Sequence, residues 1–461
     1  MILHNQLLEM NLSYWYMVMC QNTWQELVIR TGVSQSLGQL YRLALVGVLN
    51  IRQLENALSE SNRTNANLRN KPKLSSIGFS WGSNHDESMM RNEDNTRLEA
   101  EGLLKCLQPH RNLKMLTIEA YPGGYFPRWI GASEIPNLTH IKLINCKRCQ
   151  HLPPLGQLPS LKVIYMCGMP AVKNIGSEFY GRGSRRLFPS LQELTFIDFP
   201  NLEFWWSMNV KEEFPSLVKL TVNKCPRLKN MPWFSSLQHL ELRHCNEMIL
   251  RSAANLSTLL NLVIDVFNGP LVLLESLLEN NPCLMYLTIS SCPNLRSISS
   301  KLGGLTALKS LTIRWCQELI SLPQEIQNLS SLETLEISEC ISLITLPEGF
   351  RGLSSLRSLS IENCSNLVSV PKELQHLTAL EHLAIMYCPS LASLPANFRN
   401  FSMLKSLYIL SCPELASLLE ELQHVTSPQS LEIHRHPFRK FTDGSETFRS
   451  YFFSIIDCRG P

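Results

Sequence analysis

Between Leu284 and His436 the sequence returns to one pattern every 24 residues, with copies opening at Leu284, Leu308, Leu332, Leu356, Leu380, Leu404 and, with proline replacing leucine, Pro428. One copy reads L-x-x-L-x-I-x-x-C-x-x-L-x-x-L-P. In LETLEISECISLITLP, from Leu332, the fixed positions after the first are Leu335, Ile337, Cys340, Leu343, Leu346 and Pro347. Apolar residues return three and six positions beyond the proline, as Ile326 and Leu329 do after Pro323. Leucine and isoleucine two apart share one face of a short strand. A unit this small cannot bury its own apolar edge, so the copies must stack, strands in parallel, around one continuous core. Proline is tolerated at the start of a helical turn but not in a ladder, which makes the return a loose helical or irregular segment.

This is the leucine-rich-repeat signature, with cysteine where the short consensus allows asparagine or cysteine. The fold class it predicts is an α/β solenoid: a leucine-rich-repeat horseshoe with a parallel β-sheet on the concave face and an irregular or short-helical convex side. Less regular copies open at Leu259, Leu237, Leu217, Leu191, Leu161, Leu138 and Leu113, at intervals of 20 to 30 residues, with weaker ones at Leu74 and Leu40. Fourteen strands from Leu113 onward would line an arc of roughly 65 Å at about 4.8 Å per strand, a surface sized for proteins. Residues 1–38 fit no repeat, and residues 39–112 read as divergent leading repeats. Within these, GSNHDESMMRNEDNT (82–96) reads as a polar loop. A short helix follows, with Leu103, Leu104 and Leu107 at helical spacing, and stops at Pro109. Residues 113–436 form the solenoid, and 437–461 a tail or cap with an aromatic cluster.

Charge narrows the partners. There are 42 basic and 39 acidic residues, with no long Lys/Arg stripe of the kind that tracks phosphates, so nucleic acid is not expected. The opening MILHNQLLEMNLSYWYMVMCQ is interrupted by Glu9, no Lys or Arg precedes Arg30, and no stretch reaches the roughly 18 uncharged apolar residues of a membrane span. Neither a signal peptide nor a span is expected. A cytoplasmic location follows, with the 15 cysteines mostly reduced.

Nine cysteines share one repeat position: Cys146, Cys225, Cys245, Cys292, Cys316, Cys340, Cys364, Cys388 and Cys412. Stacking brings their thiols near one another, which raises disulfide or metal chemistry as a reading. Tyr121, Met169, Phe199 and His436 fill the same slot, and a ligand or redox position would not accept them. The slot therefore reads as packing, where cysteine acts as a small hydrophobe with a weak donor. Cys146-Lys-Arg-Cys149 has no second ligand pair, and Cys149 stands at a core leucine position. His239, His244, His382, His434 and His436 have no recurring carboxylate partner or nucleophile, so no enzyme, cofactor or metal is expected.

The fold does not dictate the outward strand positions, so these carry the candidate site. One column, between the leucine and the isoleucine, holds Tyr165, Thr195, Thr221, Glu241, Thr288, Thr312, Glu336, Ser360, Ala384 and Tyr408. The next holds Arg243, Asp265, Arg314, Ser338, Glu362, Met386, Leu410 and His434. Met386, Tyr387, Tyr408 and Leu410 make a patch more apolar than a solvated sheet face needs, with Trp315 beside the face. Tyr and Arg are enriched at interface hot spots, and Met adapts its shape. The partner-binding set is Arg243, Arg314, Trp315, Glu336, Ser338, Glu362, Met386, Tyr387, Tyr408 and Leu410. Trp205 and Trp206 read as cover for the core of an irregular repeat.

Two longer segments are more specific than the repeat: LVGVLNIRQLENALSESNRTNANLRNKPKLSSIGFSW (45–81) and EGLLKCLQPHRNLKMLTIEAYPGGYFPRWI (101–130). With the CPxL steps at Cys225, Cys292, Cys388 and Cys412, they resemble the leucine-rich-repeat region of plant coiled-coil, nucleotide-binding disease-resistance proteins of the resistance-gene-analog type. The resemblance covers roughly residues 38 to 434. It implies a sensor whose repeats recognise a pathogen effector or a guarded host protein and restrain a nucleotide-binding module. This sequence has no G-x-x-x-x-G-K-[ST] loop, so ATP binding by the chain itself is not expected. It reads as a piece of such a receptor or as a free-standing repeat protein acting with a separate signalling module. Two other readings compete. A ubiquitin-ligase adaptor would carry a helical adaptor-binding box within residues 1–38, and a secreted receptor ectodomain would carry a cleavable N-terminus.

Overall fold

The computed structural model describes residues 24–28, 37, 40, 42–57, 67–82, 93–131, 134–181, 186–208, 213–267, 272–394, 400–415 and 430–434. The chain divides into two compact units, Met1–Leu217 and Val218–Pro461.

In the first unit, strands β1 (Trp24–Val28), β2 (Gly47–Arg52), β3 (Leu74–Ser80), β4 (Met115–Glu119), β5 (His140–Ile144) and β6 (Val163–Cys167) pair in parallel, each with the next. A short β7 (Asn174–Ile175) intervenes before β8 (Glu193–Ile197), which pairs with β6. β7 pairs instead with β9 (Phe204–Trp205). β4, β5, β6 and β8 each open two residues past a predicted leucine, at Leu113, Leu138, Leu161 and Leu191. Three expectations shift. Residues 24–28, inside the segment expected to fit no repeat, form a strand in register with β2, with Leu27 opposite Ile51. The weak copy at Leu40 is displaced: the buried pair is Leu49 and Ile51, so the strand runs later, at 47–52. Helix α1 runs Glu93–Cys106, beginning inside the expected polar loop. Its first turn is polar but helix-compatible, and the Arg97–Glu101 ion pair one turn apart supports it.

The core of this unit is aromatic where the repeats are irregular. Phe179 and Tyr180 of α2 (Ser177–Tyr180), Phe188, Phe196, Phe199 and Trp205 are fully buried, and the Trp205 Nε1–H donates to the Tyr180 hydroxyl at 3.0 Å. The two tryptophans separate: Trp205 enters the core, whereas Trp206 is 52% exposed and stacks on Phe204. Period-two alternation sends adjacent residues of an extended segment to opposite faces, so only one of the pair can cover the core.

The second unit is the regular one. Strands β10 (Lys219–Cys225), β11 (His239–Cys245), β12 (Asn261–Asp265), β13 (Tyr286–Ser290), β14 (Ser310–Arg314), β15 (Thr334–Ser338), β16 (Ser358–Glu362), β17 (His382–Met386), β18 (Ser406–Leu410) and β19 (Ser430–His434) pair in parallel in sequence order. The register never slips: Leu311, Leu335, Leu359, Leu383 and Leu407 are mutual neighbours, as are Ile313, Ile337, Ile361, Ile385 and Ile409. These leucines and isoleucines are buried. Two helices, α3 (Ile249–Ala253) and α4 (Val272–Glu279), and then 3-10 turns at Ser300–Gly304, Gln324–Asn328, Glu348–Gly352 and Lys372–His376, form the return side. Pro323, Pro347 and Pro371 precede the last three turns with φ of −70°, −70° and −65°, the value the pyrrolidine ring enforces.

One backbone device recurs in both units. In most of the long-ladder strands the residue just past the last outward position takes a left-handed φ: 54° at Asn145, 56° at Val266, 52° at Trp315, 56° at Glu339 and 56° at Tyr387. Its N–H donates to the carbonyl of the next strand, as from Trp315 to Ser338 at 2.9 Å and from Tyr387 to Leu410 at 2.8 Å. The ladder thus gains one rung while the chain turns under the sheet into the cysteine slot. There the thiol donates back to the carbonyl two residues earlier, at 3.4 Å from Cys316 to Arg314 and 3.5 Å from Cys340 to Ser338. His436 and residues 437–461, expected to hold the last slot and the tail, lie outside the described residues.

Candidate functional site

Constant register turns repeat positions into straight columns across the outward face of the second unit. In the column nearest the strands' C-terminal ends, Arg243, Asp265, Ser290, Arg314, Ser338, Glu362, Met386 and Leu410 are successive in-register neighbours. The middle column runs Glu241, Val263, Thr288, Thr312, Glu336, Ser360, Ala384 and Tyr408. Trp315 and Tyr387 stand at the left-handed rim position, 43% and 42% exposed.

The polar half of this face is internally paired. Arg243 bridges Glu241 and Asp265, its Nη1 lying 3.0 Å from Asp265 Oδ2. Burial opposes the Arg243 charge, and the bonds to these two carboxylates outweigh it, holding the guanidinium above its ordinary value. The Arg314 Nε–H donates to Glu336 Oε1 at 2.9 Å. The Asn363 Nδ2 donates to Glu339 Oε1 at 2.8 Å. Burial, then Glu339 and Glu336, push the Glu362 carboxyl above the usual carboxylate range, with Arg314 opposing. One guanidinium therefore faces three carboxylates.

Ser338 corrects an expectation. It occupies its predicted column but is only 7% exposed, because a hydroxymethyl group lies below its longer neighbours Arg314 and Glu362. Asp265, read with the same outward column, is likewise buried at 7% and held by Arg243.

Beyond Glu362 the face becomes apolar, with Met386, Tyr408 and Leu410 half-buried and Tyr387 exposed. Ser360 and Ala384 are too small to fill the middle column beside Tyr408. The result is an open depression of about 520 Å³, lined by Ser358, Ser360, His382, Ala384, Ser406 and Tyr408 among others. His382 Nδ1 and Ser406 Oγ, 2.7 Å apart, form its hydrogen-bonded wall. These two residues, from the column nearest the strands' N-terminal ends, stand outside the partner-binding set read from the sequence, where His382 is weighed only as a catalytic or metal-binding histidine. The signal was present, since each lies two residues past a repeat leucine, but serines and a histidine in a strand look like ordinary solvated positions.

The cysteine column takes no part in this face. Cys316, Cys340, Cys364 and Cys388 are fully buried free thiols. Burial pushes the Cys245 thiol up to about 12, and a hydrogen bond with Cys364 together with burial does the same for Cys388. Cys146 and Cys149 are also fully buried, and Cys149 donates to the Gly123 carbonyl at 3.2 Å. Among the described residues, no group of three or more His, Cys, Asp or Glu is placed to hold a metal ion, and no helix is long and apolar enough to cross a membrane.

Parallel strands one per repeat, an inward Leu-x-Ile pair and a buried slot at the turn define the chain as a leucine-rich-repeat protein. Residues 37–169 match the family described as R13L1/DRL21 LRRs, and residues 264–450 the family described as leucine-rich repeat region. The chain is 32% identical over 285 residues to "Putative disease resistance protein RGA1" of Solanum bulbocastanum, covering 61% of this chain and 28% of that protein. It is 35% identical over 213 residues to "Putative disease resistance RPP13-like protein 1" of Arabidopsis thaliana, covering 44% of this chain and 20% of the relative. Its repeats are therefore similar to those of plant disease-resistance proteins of the RGA and RPP13-like type, and it spans less than a third of those relatives' length. Among solved structures, the glycosylated Toll–Spatzle complex of Drosophila aligns over 90% of this chain and 50% of that one, at a TM-score of 0.56 and 16% identity. The TLR13–ssRNA13 complex aligns over 86% and 62%, at a TM-score of 0.50 and 17% identity. These two show the shared fold.

Proposed function

We propose that the chain is a protein-recognition module of plant innate immunity, acting in the cytoplasm. It senses a pathogen effector or a guarded host protein through the outward sheet face of its regular repeats and passes that event to a nucleotide-binding signalling module. The observation that carries this reading is the change in character along the face. Charged residues from Arg243 to Glu362 give way to Met386, Tyr387, Tyr408 and Leu410, at positions the solenoid core does not require. A central apolar and aromatic group beside charged residues is the anatomy of a binding surface. The kinship with disease-resistance proteins supplies the biological setting. On this reading the chain performs no catalysis, and binding is its whole contribution.

The test is a binding screen of purified pathogen effectors and host proteins against immobilised chain, comparing wild type with Tyr408→Ala and Arg314→Ala. A partner retained by wild type and weakened by these substitutions supports the surface. Equal retention by all three contradicts it.

A further inference from the structure

The chemistry of the same face also specifies what it accepts, an inference that rests on the recognition reading above. Across β15 to β18 the C-terminal column passes from Ser338 to Glu362, Met386 and Leu410, one strand per step, and the middle column from Glu336 to Ser360, Ala384 and Tyr408. The carboxylates of Glu336, Glu339 and Glu362 crowd one end, and the guanidinium beside them, Arg314, is bonded to Glu336. The crowding is visible in Glu362 itself, whose charged form is disfavoured by burial and by both neighbouring glutamates. The depression lies toward the N-terminal ends of β16, β17 and β18, lined by Ser360, Ala384 and Tyr408 of the middle column and by Ser358, His382 and Ser406 beside them, while Met386 and Leu410 continue the column of Glu362. The cation at its rim, Lys405, is neutralised by Glu381, which also pairs with Arg357.

We propose that this face docks an extended segment of a partner protein that carries a lysine or arginine two residues from a large apolar side chain. The cation lies among Glu336, Glu339 and Glu362, and the apolar side chain enters the depression beside Ala384 and Tyr408. The spacing follows from geometry. Strands of a sheet are about 4.8 Å apart, and residues i and i+2 of an extended chain, which project to one side, are separated by roughly 6.8 Å. A segment crossing the strands thus carries its two groups one to two strands apart, and Glu336 and Ala384 stand two strands apart in the middle column. Charge complementarity sets the sign of the first group, and the small side chains of Ser360 and Ala384 leave room for the second.

The experiment pans a random dodecapeptide display library on the full chain and titrates the enriched peptides, fluorescently labelled, against wild type, Glu362→Gln, Ala384→Trp and Tyr408→Ala. The expected result is enrichment of Lys/Arg-x-Phe/Tyr/Leu/Met patterns. Affinity falls about tenfold or more when Ala384→Trp fills the depression, and severalfold on Glu362→Gln, which removes a charge without changing shape; added salt weakens the wild-type complex. Enriched peptides that lack a cation, lose affinity on Tyr408→Ala and ignore Glu362→Gln overturn this partner chemistry while leaving the recognition surface standing. Peptides indifferent to all three substitutions overturn both. Absence of enrichment over a bait-free control also overturns the proposal.

Discussion

Arg314 of β14 donates from two guanidinium nitrogens to one carboxylate oxygen of Glu336 on β15, tying neighbouring repeats across the outward face. Both side chains keep contact with solvent, at 37% and 28% exposure, so water screens the pair. Such pairs contribute about 0 to 1 kcal/mol. Glu336→Ala should therefore lower unfolding stability by no more than about 1 kcal/mol. Leu335→Ala, at a fully buried adjacent position, should cost about 2 to 5 kcal/mol through the cavity it leaves. Urea denaturation of the two variants separates these outcomes, and equal losses would mean that inward and outward faces are misassigned.

Two glycines on the return side should respond in opposite ways. A Cβ built on Gly352 would lie 1.9 Å from the Gln327 carbonyl oxygen, whereas one on Gly304 meets nothing within 4 Å. Gly352→Ala forces the stacked 3-10 turns apart and should cost about 1 to 3 kcal/mol, as overpacking does. Gly304→Ala should be neutral or stabilise by up to about 1 kcal/mol, by restricting the unfolded chain. Thermal denaturation of both variants checks the contrast.

Val266 holds a left-handed φ of 56° with a β-branched side chain. This conformation costs roughly 1 to 2 kcal/mol for a residue with a Cβ and little for glycine. Val266→Gly should therefore raise stability, despite glycine's entropic cost, whereas glycine in place of the neighbouring strand residue Ile264 should lower it. A Val266→Gly variant less stable than wild type by urea denaturation would contradict the strain.

The thiols give a pH dependence. Burial raises Cys245 from an ordinary value near 9 to about 12 in the folded chain. A thiol whose folded value is raised favours the native state while it remains protonated, so its contribution is complete below 9 and is lost as pH climbs from 9 toward 12. Stability should fall across that window, and the fall should lessen in Cys245→Ala. In the native chain, alkylation with mass-spectrometric readout should label the exposed Cys106 and Cys283 well before the buried Cys340. Early labelling of Cys340 would show that its slot is open.

What could be read from the sequence was what recurs. Leu335, Ile337 and Cys340 announce strand, face and turn because their copies stand 24 residues away with the same chemistry, and a stacked solenoid makes every copy a neighbour. What could not be read depends on neighbours that differ. Ser338 looks as outward as Glu362, but its burial is set by the length of Arg314 and Glu362 on either side. The depression exists because small Ser360 and Ala384 precede Tyr408 in one column, a juxtaposition spread over 49 residues of sequence. The left-handed position was hidden because Trp315, Glu339 and Tyr387 occupy it, although Asn145, Gly168, Asp198, His244 and Asn363 carry chemistry suited to it. β1 was missed because WQELV lacks the cysteine and proline that frame the later strands.

The central claim is that the face from β14 to β18 receives the partner. Hydroxyl-radical footprinting of the chain with and without a bound effector or host protein tests it most directly, since the face carries oxidisable side chains. Oxidation of Met386, Tyr387 and Tyr408 should drop several-fold on binding, while Trp233 and Met403, exposed at 60% and 53% away from the outward columns, should keep their rates. Unchanged oxidation of Met386 and Tyr408 in a saturated complex would contradict the claim.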